Sequence, residues 1–248
     1  MRYQSKSGSI NETMIRQALN NHLFKDLDPN WKRHMKRMFK DINDYDLIHA
    51  DYYEYSDAKP DLVISVNKRR VFLSIKSGHA PCVHYEGVFS FYDFLKMQDV
   101  PKDIIRLIRF YHYGYDVRLT GQEKIMSREQ IIEKYPGLIK KVNNYFIEHS
   151  EIVREIIYRS IISGRLKRDL IDYFYYGSVS KGYLLSIYDI VDLILKDKNS
   201  SCMSICFYGL TYVSGARDPN SPKNHNLKIH WPILCKYFYD SAFMKKYG

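Results

Sequence analysis

Residues 59–76 read Lys-Pro-Asp-Leu-Val-Ile-Ser-Val-Asn-Lys-Arg-Arg-Val-Phe-Leu-Ser-Ile-Lys. Two short β-rich runs, residues 61–66 and 70–76, flank a polar Asn67-Lys68 pair, so the stretch predicts a hairpin. Alternation along a strand sends Ser74 and Lys76 to one face, and Leu73 and Ile75 to the other. Asp61 opens the neighbouring strand. The hairpin can therefore deliver a carboxylate and an ammonium to one edge of a sheet. A lysine that ends an otherwise apolar strand is uncommon, because lysine is rarely buried unless paired.

Working outward, the N-terminal side predicts two helices. The first is signalled by Ser9-x-x-Glu12, a capping-box pattern, with apolar Ile10, Met14, Ile15, Ala18, Leu19 and Leu23 behind it. Asp28-Pro29 then opens a second, basic helix carrying Lys32, Arg33, Lys36, Arg37 and Lys40. On the C-terminal side, a helix is expected over residues 87–96 and another after Pro101. From about residue 121 to 200 the pattern is mainly helical, with a short strand and turn near residues 173–178. Residues 202–213 and 227–231 read as late strands, separated by a basic, turn-rich loop. The expected class is α/β: one domain over residues 1–248, a central mixed sheet flanked by helices, with a helical insertion at about 121–200.

Composition limits the function classes. The chain has 248 residues, 45% of them hydrophobic, which is enough for a substantial core and excludes a disordered tail. The formal net charge of +10 favours polyanionic partners, nucleic acid before an acidic membrane surface. The first residues lack the apolar core of a signal peptide, and no stretch of about eighteen apolar residues occurs. The four cysteines, Cys82, Cys202, Cys206 and Cys235, read as reduced thiols in a cytoplasmic protein without a membrane partner.

The Asp61–Lys76 pairing suits phosphodiester hydrolysis. A hard cation held by a carboxylate draws charge off the phosphate and acidifies a bound water. A nearby lysine positions that water or stabilises the developing charge. Pro60-Asp61 with Ser74-Ile75-Lys76 resembles the PD-(D/E)xK nuclease superfamily, which includes restriction endonucleases, junction resolvases and repair nucleases. The likeness spans roughly residues 5–95 when flanking helices are counted. It implies a restriction-endonuclease-like fold, Asp61 as metal ligand and Lys76 as catalytic lysine, with Mg2+ as cofactor and Mn2+ able to substitute. The sequence departs from the family pattern at Ser74, which stands where a second acid is usual. The resemblance then implies recruitment of a glutamate from the following helix, and Glu86 is expected at that helix start. It also implies a first-helix glutamate at the metal, a position Glu12 matches, and a supporting hydrogen bond from Ser74.

Each residue has a plainer reading. Asp61 after proline can simply open a strand. Ser9 and Glu12 explain each other as a capping box. Glu86 suits the first turn of any helix. His79, Cys82 and His84 do not make a convincing zinc set without a second cluster. The basic residues Lys32, Arg33 and Lys36, the Arg165–Arg168 cluster, and Arg217 and Lys223 in the late loop can be solvated faces or phosphate contacts. Ser77, His79 and His84, just beyond Lys76, join them as candidate nucleic-acid contacts. Most of the 23 tyrosines read as core and rim; Tyr85 and Tyr92, near the expected site, are the candidates for base stacking. The expected activity is a metal-dependent DNA endonuclease of restriction or defence type, compatible with a homodimer. The alternative is a nuclease-fold nucleic-acid-binding protein that lost catalysis with the acid at position 74.

Overall fold

The computed structural model describes residues 6–55, 58–78, 80–115, 125–164, 170–198, 203–215 and 221–248. The elements run α1 (Lys6–Leu19), β1 (His22–Leu23), α2 (Pro29–Met38), β2 (Leu47–Tyr52), β3 (Leu62–Val66), β4 (Arg69–Lys76) and β5 (Cys82–Gly87). Next come α3 (Val88–Met97), α4 (Lys102–Tyr113), α5 (Arg128–Lys134), α6 (Pro136–Glu148) and α7 (Ser150–Ile157), which runs into a π-helical turn at Tyr158–Ile162. The last part contains β6 (Tyr173–Gly177), β7 (Gly182–Ser186), α8 (Ile187–Lys196), β8 (Cys206–Phe207), β9 (Leu210–Ser214), β10 (Asn226–His230), α9 (Leu234–Tyr237) and α10 (Ser241–Tyr247).

Contacts divide the chain into two compact units that interleave along the sequence. The first comprises Met1–Pro81, Ile157–Asp192 and Ile233–Gly248; the second comprises Cys82–Ile156 and Leu193–Pro232. The stretch expected as a helical insertion carries α5, α6 and α7, but also β6 and β7, which are strands of the first unit's sheet. No described helix is long and apolar enough to cross a membrane.

The first unit holds a six-stranded sheet in the order β1-β2-β3-β4-β6-β7. Only β4 and β6 are parallel; the other pairs are antiparallel, so the sheet is mixed. The β3–β4 hairpin turns at Asn67, whose φ of 56° is a left-handed conformation that asparagine tolerates better than most residues. Leu62, Ile64 and Val66 of β3 and Val71, Leu73 and Ile75 of β4 enter one core with Ile15 and Leu19 of α1 and Trp31 and Met35 of α2. Each such side chain taken fully from water contributes roughly 1.5–3 kcal/mol. Asp28 caps α2 by accepting from the Asn30 N–H at 2.8 Å.

The start of α1 departs from the sequence expectation. The helix already runs from Lys6, so Ser9 and Glu12 lie inside it and do not form a capping box. The Ser9 carbonyl instead accepts from the Thr13 hydroxyl at 2.8 Å. The apolar face is also narrower than the sequence suggested. Ile15 and Leu19 are buried, whereas Ile10 and Met14 are exposed.

The second unit is built on an antiparallel sheet in the order β5-β10-β9-β8. His112 of α4 bonds the Tyr212 hydroxyl and the Asn224 carbonyl through its two ring nitrogens, and the Tyr113 hydroxyl meets His225 Nδ1 at 3.1 Å. These contacts tie the described end of the late loop to α4. Cys206 is a buried strand residue, as its setting suggested, and Cys82, Cys206 and Cys235 are not disulfide-bonded. Cys202 lies outside the described residues.

Candidate active site

Asp61 stands one residue before β3 and extends its ladder. Its N–H donates to the Leu73 carbonyl at 2.8 Å, and its carbonyl accepts from Tyr53 N–H at 3.1 Å. Beyond the Leu62–Leu73 pair, β3 has no further residue to offer β4. The Asp61 side chain supplies the missing acceptor: Oδ2 takes the Ile75 N–H at 2.7 Å and the Ser74 hydroxyl at 3.1 Å. Two donors on one carboxylate oxygen, one of them rigid backbone, set its orientation. Oδ1 takes neither of these bonds.

Ser74 is fully buried, and its side chain is turned from the core that receives Leu73 and Ile75. Lys76 follows Ser74 on that same face, roughly 7 Å further along the strand. The acid and the amine that the sequence paired therefore share one face at one end of β4. Lys76 stands opposite Tyr176 in the parallel β4–β6 pair. Lys59, two residues before Asp61, donates its ammonium to the Ser160 carbonyl in the π-helical turn.

Glu12 belongs to the same unit. It is buried in α1, and its neighbour Asn11 donates to the Gly177 carbonyl at 2.9 Å, at the end of β6. That bond brings this turn of α1 to the strand beside Lys76. Glu12 lies inside α1 rather than at its start, so a capping box does not account for its place in the sequence.

Glu86 requires a correction. It does not open α3 but lies in β5, before the helix N-cap Gly87, and it belongs to the second unit. There it is buried, with Oε1 3.1 Å from His84 Nε2. The two residues are spaced by two on a strand, so alternation puts them on one face and they meet directly. His84 is correspondingly almost enclosed, which does not suit the nucleic-acid contact expected of it. Tyr92 is likewise a core residue of α3, whereas Tyr85 is exposed.

The other expected contact residues are dispersed. Arg33 and Lys36 are exposed on α2 and Lys32 is half-buried; Arg33 donates to Asn30 at 3.0 Å. Arg37, by contrast, is structural, donating to the Leu184 carbonyl at 2.8 Å. Ser77 is half-buried at the exit of β4, and Lys223 is exposed in the second unit. His79, Arg165–Arg168 and Arg217 lie outside the described residues.

Among the described residues, no group of three or more His, Cys, Asp and Glu side chains is arranged to hold a metal. Magnesium does not require such a set, since one or two carboxylates with waters and substrate phosphates commonly suffice. The fixed Asp61 carboxylate, with one oxygen outside its two hydrogen bonds, fits that mode of binding.

A solved structure of restriction endonuclease MspI in complex with its cognate DNA superposes on this chain with a TM-score of 0.60. The alignment covers 90% of this chain and 88% of that one, at 13% sequence identity. The fold is restriction-endonuclease-like. No family model and no curated relative matches the sequence. The likeness is thus one of architecture alone.

Sequence reading did not single out the loop between β6 and β7, Gly177-Ser-Val-Ser-Lys-Gly182. Two glycines bracketing serines and a lysine between apolar strands was the available signal.

Proposed function

We propose that this protein is a metal-dependent endonuclease that hydrolyses phosphodiester bonds in DNA. The observation that carries the proposal is the Asp61 carboxylate bonded to Ser74 and Ile75 of the strand that ends in Lys76. The likeness to MspI, itself solved with its cognate DNA, and the net charge of +10 support DNA as the partner.

In this reading Asp61 holds Mg2+, with Mn2+ able to substitute, and the ion when bound supplies charge neutralisation and an acidified water. Ser74 keeps the Asp61 carboxylate aligned while strand β4 stays rigid. Lys76 presents its ammonium to the attacking water and to the charge that develops on phosphate oxygen. Hydrolysis then proceeds by water attack on phosphorus with departure of a sugar oxygen. Glu12 is the favoured second carboxylate, since it is buried in the same unit next to the Asn11–Gly177 contact. Glu86 is the rival, and its pairing with His84 weighs against it.

The test is supercoiled-plasmid nicking with Mg2+ or Mn2+, comparing wild type with Asp61→Asn and Lys76→Ala. Nicking by wild type and a loss of at least about 100-fold in either variant is expected. One observation favours a second reading, a DNA-binding protein without catalysis: Ser74 is a hydroxyl where an acid would help hold a cation. Salt-sensitive DNA binding with no nicking under either metal would establish that reading instead.

A further inference from the structure

We propose that the β6–β7 turn grips a backbone phosphate of the bound nucleic acid through Lys181 and the Ser180 hydroxyl. The phosphate would lie a few nucleotides from the one engaged at Asp61 and Lys76. This inference rests on the DNA reading above and deepens it.

The turn is built rather than loose. Its carbonyls face inward to two buried aromatic residues: Trp31 Nε1 donates to the Val179 carbonyl at 2.8 Å, and the Tyr175 hydroxyl donates to the Ser178 carbonyl at 2.7 Å. Ser178 closes it, donating its N–H to the Lys181 carbonyl at 2.9 Å. The flanking glycines are sterically required. A Cβ on Gly182 would sit 2.3 Å from the Tyr175 hydroxyl, and one on Gly177, at φ 148°, would sit 2.3 Å from the Lys181 carbonyl. With the Ser178, Val179 and Lys181 carbonyls engaged, the exposed side chains of the turn are Ser180, whose hydroxyl lies 3.2 Å from the Ser178 hydroxyl, and Lys181, a hydroxyl and an ammonium. Such donors with no anion supplied by the turn suit phosphate oxygen.

The turn is also placed for it. β7 lies two strands from β4, about 10 Å across the sheet. Gly177 and Gly182 pair directly beyond the row where Lys76 meets Tyr176. Lys181 Nζ stands over the Phe238 ring, 5.6 Å from its centroid. The same ring packs on Tyr176 and lies 3.3 Å from where a Cβ on Gly78 would be, at the exit of the Lys76 strand. Phe238 therefore links Lys181 to the end of β4 that carries Lys76, and a cation over a ring loses less freedom on meeting a second, anionic partner.

The experiment measures duplex-DNA affinity across a salt series in chelator, by anisotropy of a labelled oligonucleotide. It compares wild type with Lys181→Ala, Lys181→Arg and Lys68→Ala. Lys68 makes the same charge change from the hairpin turn at the opposite end of β4. A lost phosphate contact lowers the slope of log affinity against log salt by about 0.9. Between about 50 and about 200 mM salt, Lys181→Ala should then weaken by roughly threefold less than wild type. Lys181→Arg and Lys68→Ala should keep the wild-type slope, and urea midpoints should match throughout. An unchanged slope in Lys181→Ala, or an equal change in Lys68→Ala, overturns the contact, as does an absence of duplex binding by wild type. Plasmid nicking separates the two claims. Nicking with an unchanged slope removes the contact alone, whereas a Lys181-dependent slope without nicking removes catalysis and keeps the contact.

Discussion

Acid should destabilise the first unit through a single imidazole, His34. This residue is fully buried in α2, its ring edge-on to Trp31 and Tyr175 with centroids 5.5 Å from each. Among the described residues, neither ring nitrogen has a hydrogen-bond partner. Burial, reinforced by the Arg37 and Arg33 charges, lowers its pKa from 6.5 to about 4. Because the folded value lies below the unfolded one, the unfolded chain binds the proton first as pH falls. The stability associated with neutral His34 is complete above about pH 6.5 and is lost progressively toward pH 4. Each pH unit of separation is worth about 1.4 kcal/mol, so the full loss is about 3 kcal/mol, and about 2 kcal/mol is gone by roughly pH 5. Carboxylates also titrate in this range, so the comparison is with His34→Phe, which fills a similar volume and has no nitrogen to protonate. Urea unfolding at about pH 7.5 and about pH 5 should show wild type losing about 2 kcal/mol more than the variant. A difference between the two proteins that does not change with pH would refute the argument. The effect bears on the proposed phosphate contact, because Trp31 and Tyr175 also hold the β6–β7 turn.

Ser74→Ala removes the hydroxyl donor to Asp61, should cost about 1–2 kcal/mol in urea unfolding, and should reduce any nicking activity by loosening the carboxylate. Glu12→Gln and Glu86→Gln separate the two candidate second acids: nicking should fall with Glu12→Gln and persist with Glu86→Gln, and the reverse outcome restores Glu86. Gly177→Ala forces a side chain into positive φ and against the Lys181 carbonyl, and should cost about 2–4 kcal/mol, seen as a Tm lowered by about 5–15 °C.

The hairpin at residues 61–76 was legible from sequence because a strand's period of two sorts its residues without further information. Leu73 and Ile75 had to face a core, so Ser74 and Lys76 had to face away from it, and the structure agrees. The α2 start was legible for a similar reason, since the Asp28-Pro29 cap acts within one turn. The start of α1 was misjudged because Ser9-x-x-Glu12 carries the same local signal inside a helix as at its end, and only the preceding residues decide which holds. Glu86 was misplaced because the apolar run after Gly87 looked continuous with it, whereas pairing with Leu227, far along the chain, makes it a strand residue.

The sequence by itself determined the β3–β4 hairpin and the face of β4 that Ser74 and Lys76 share, because alternation and side-chain type are local properties. Tertiary structure decided what meets that face. Asn11 reaches Gly177, Phe238 packs over the exit of β4, and Glu86 is taken up by His84 in the second unit. Those contacts join residues far apart in the chain, and their energy comes from burial and hydrogen-bond satisfaction that no local pattern specifies.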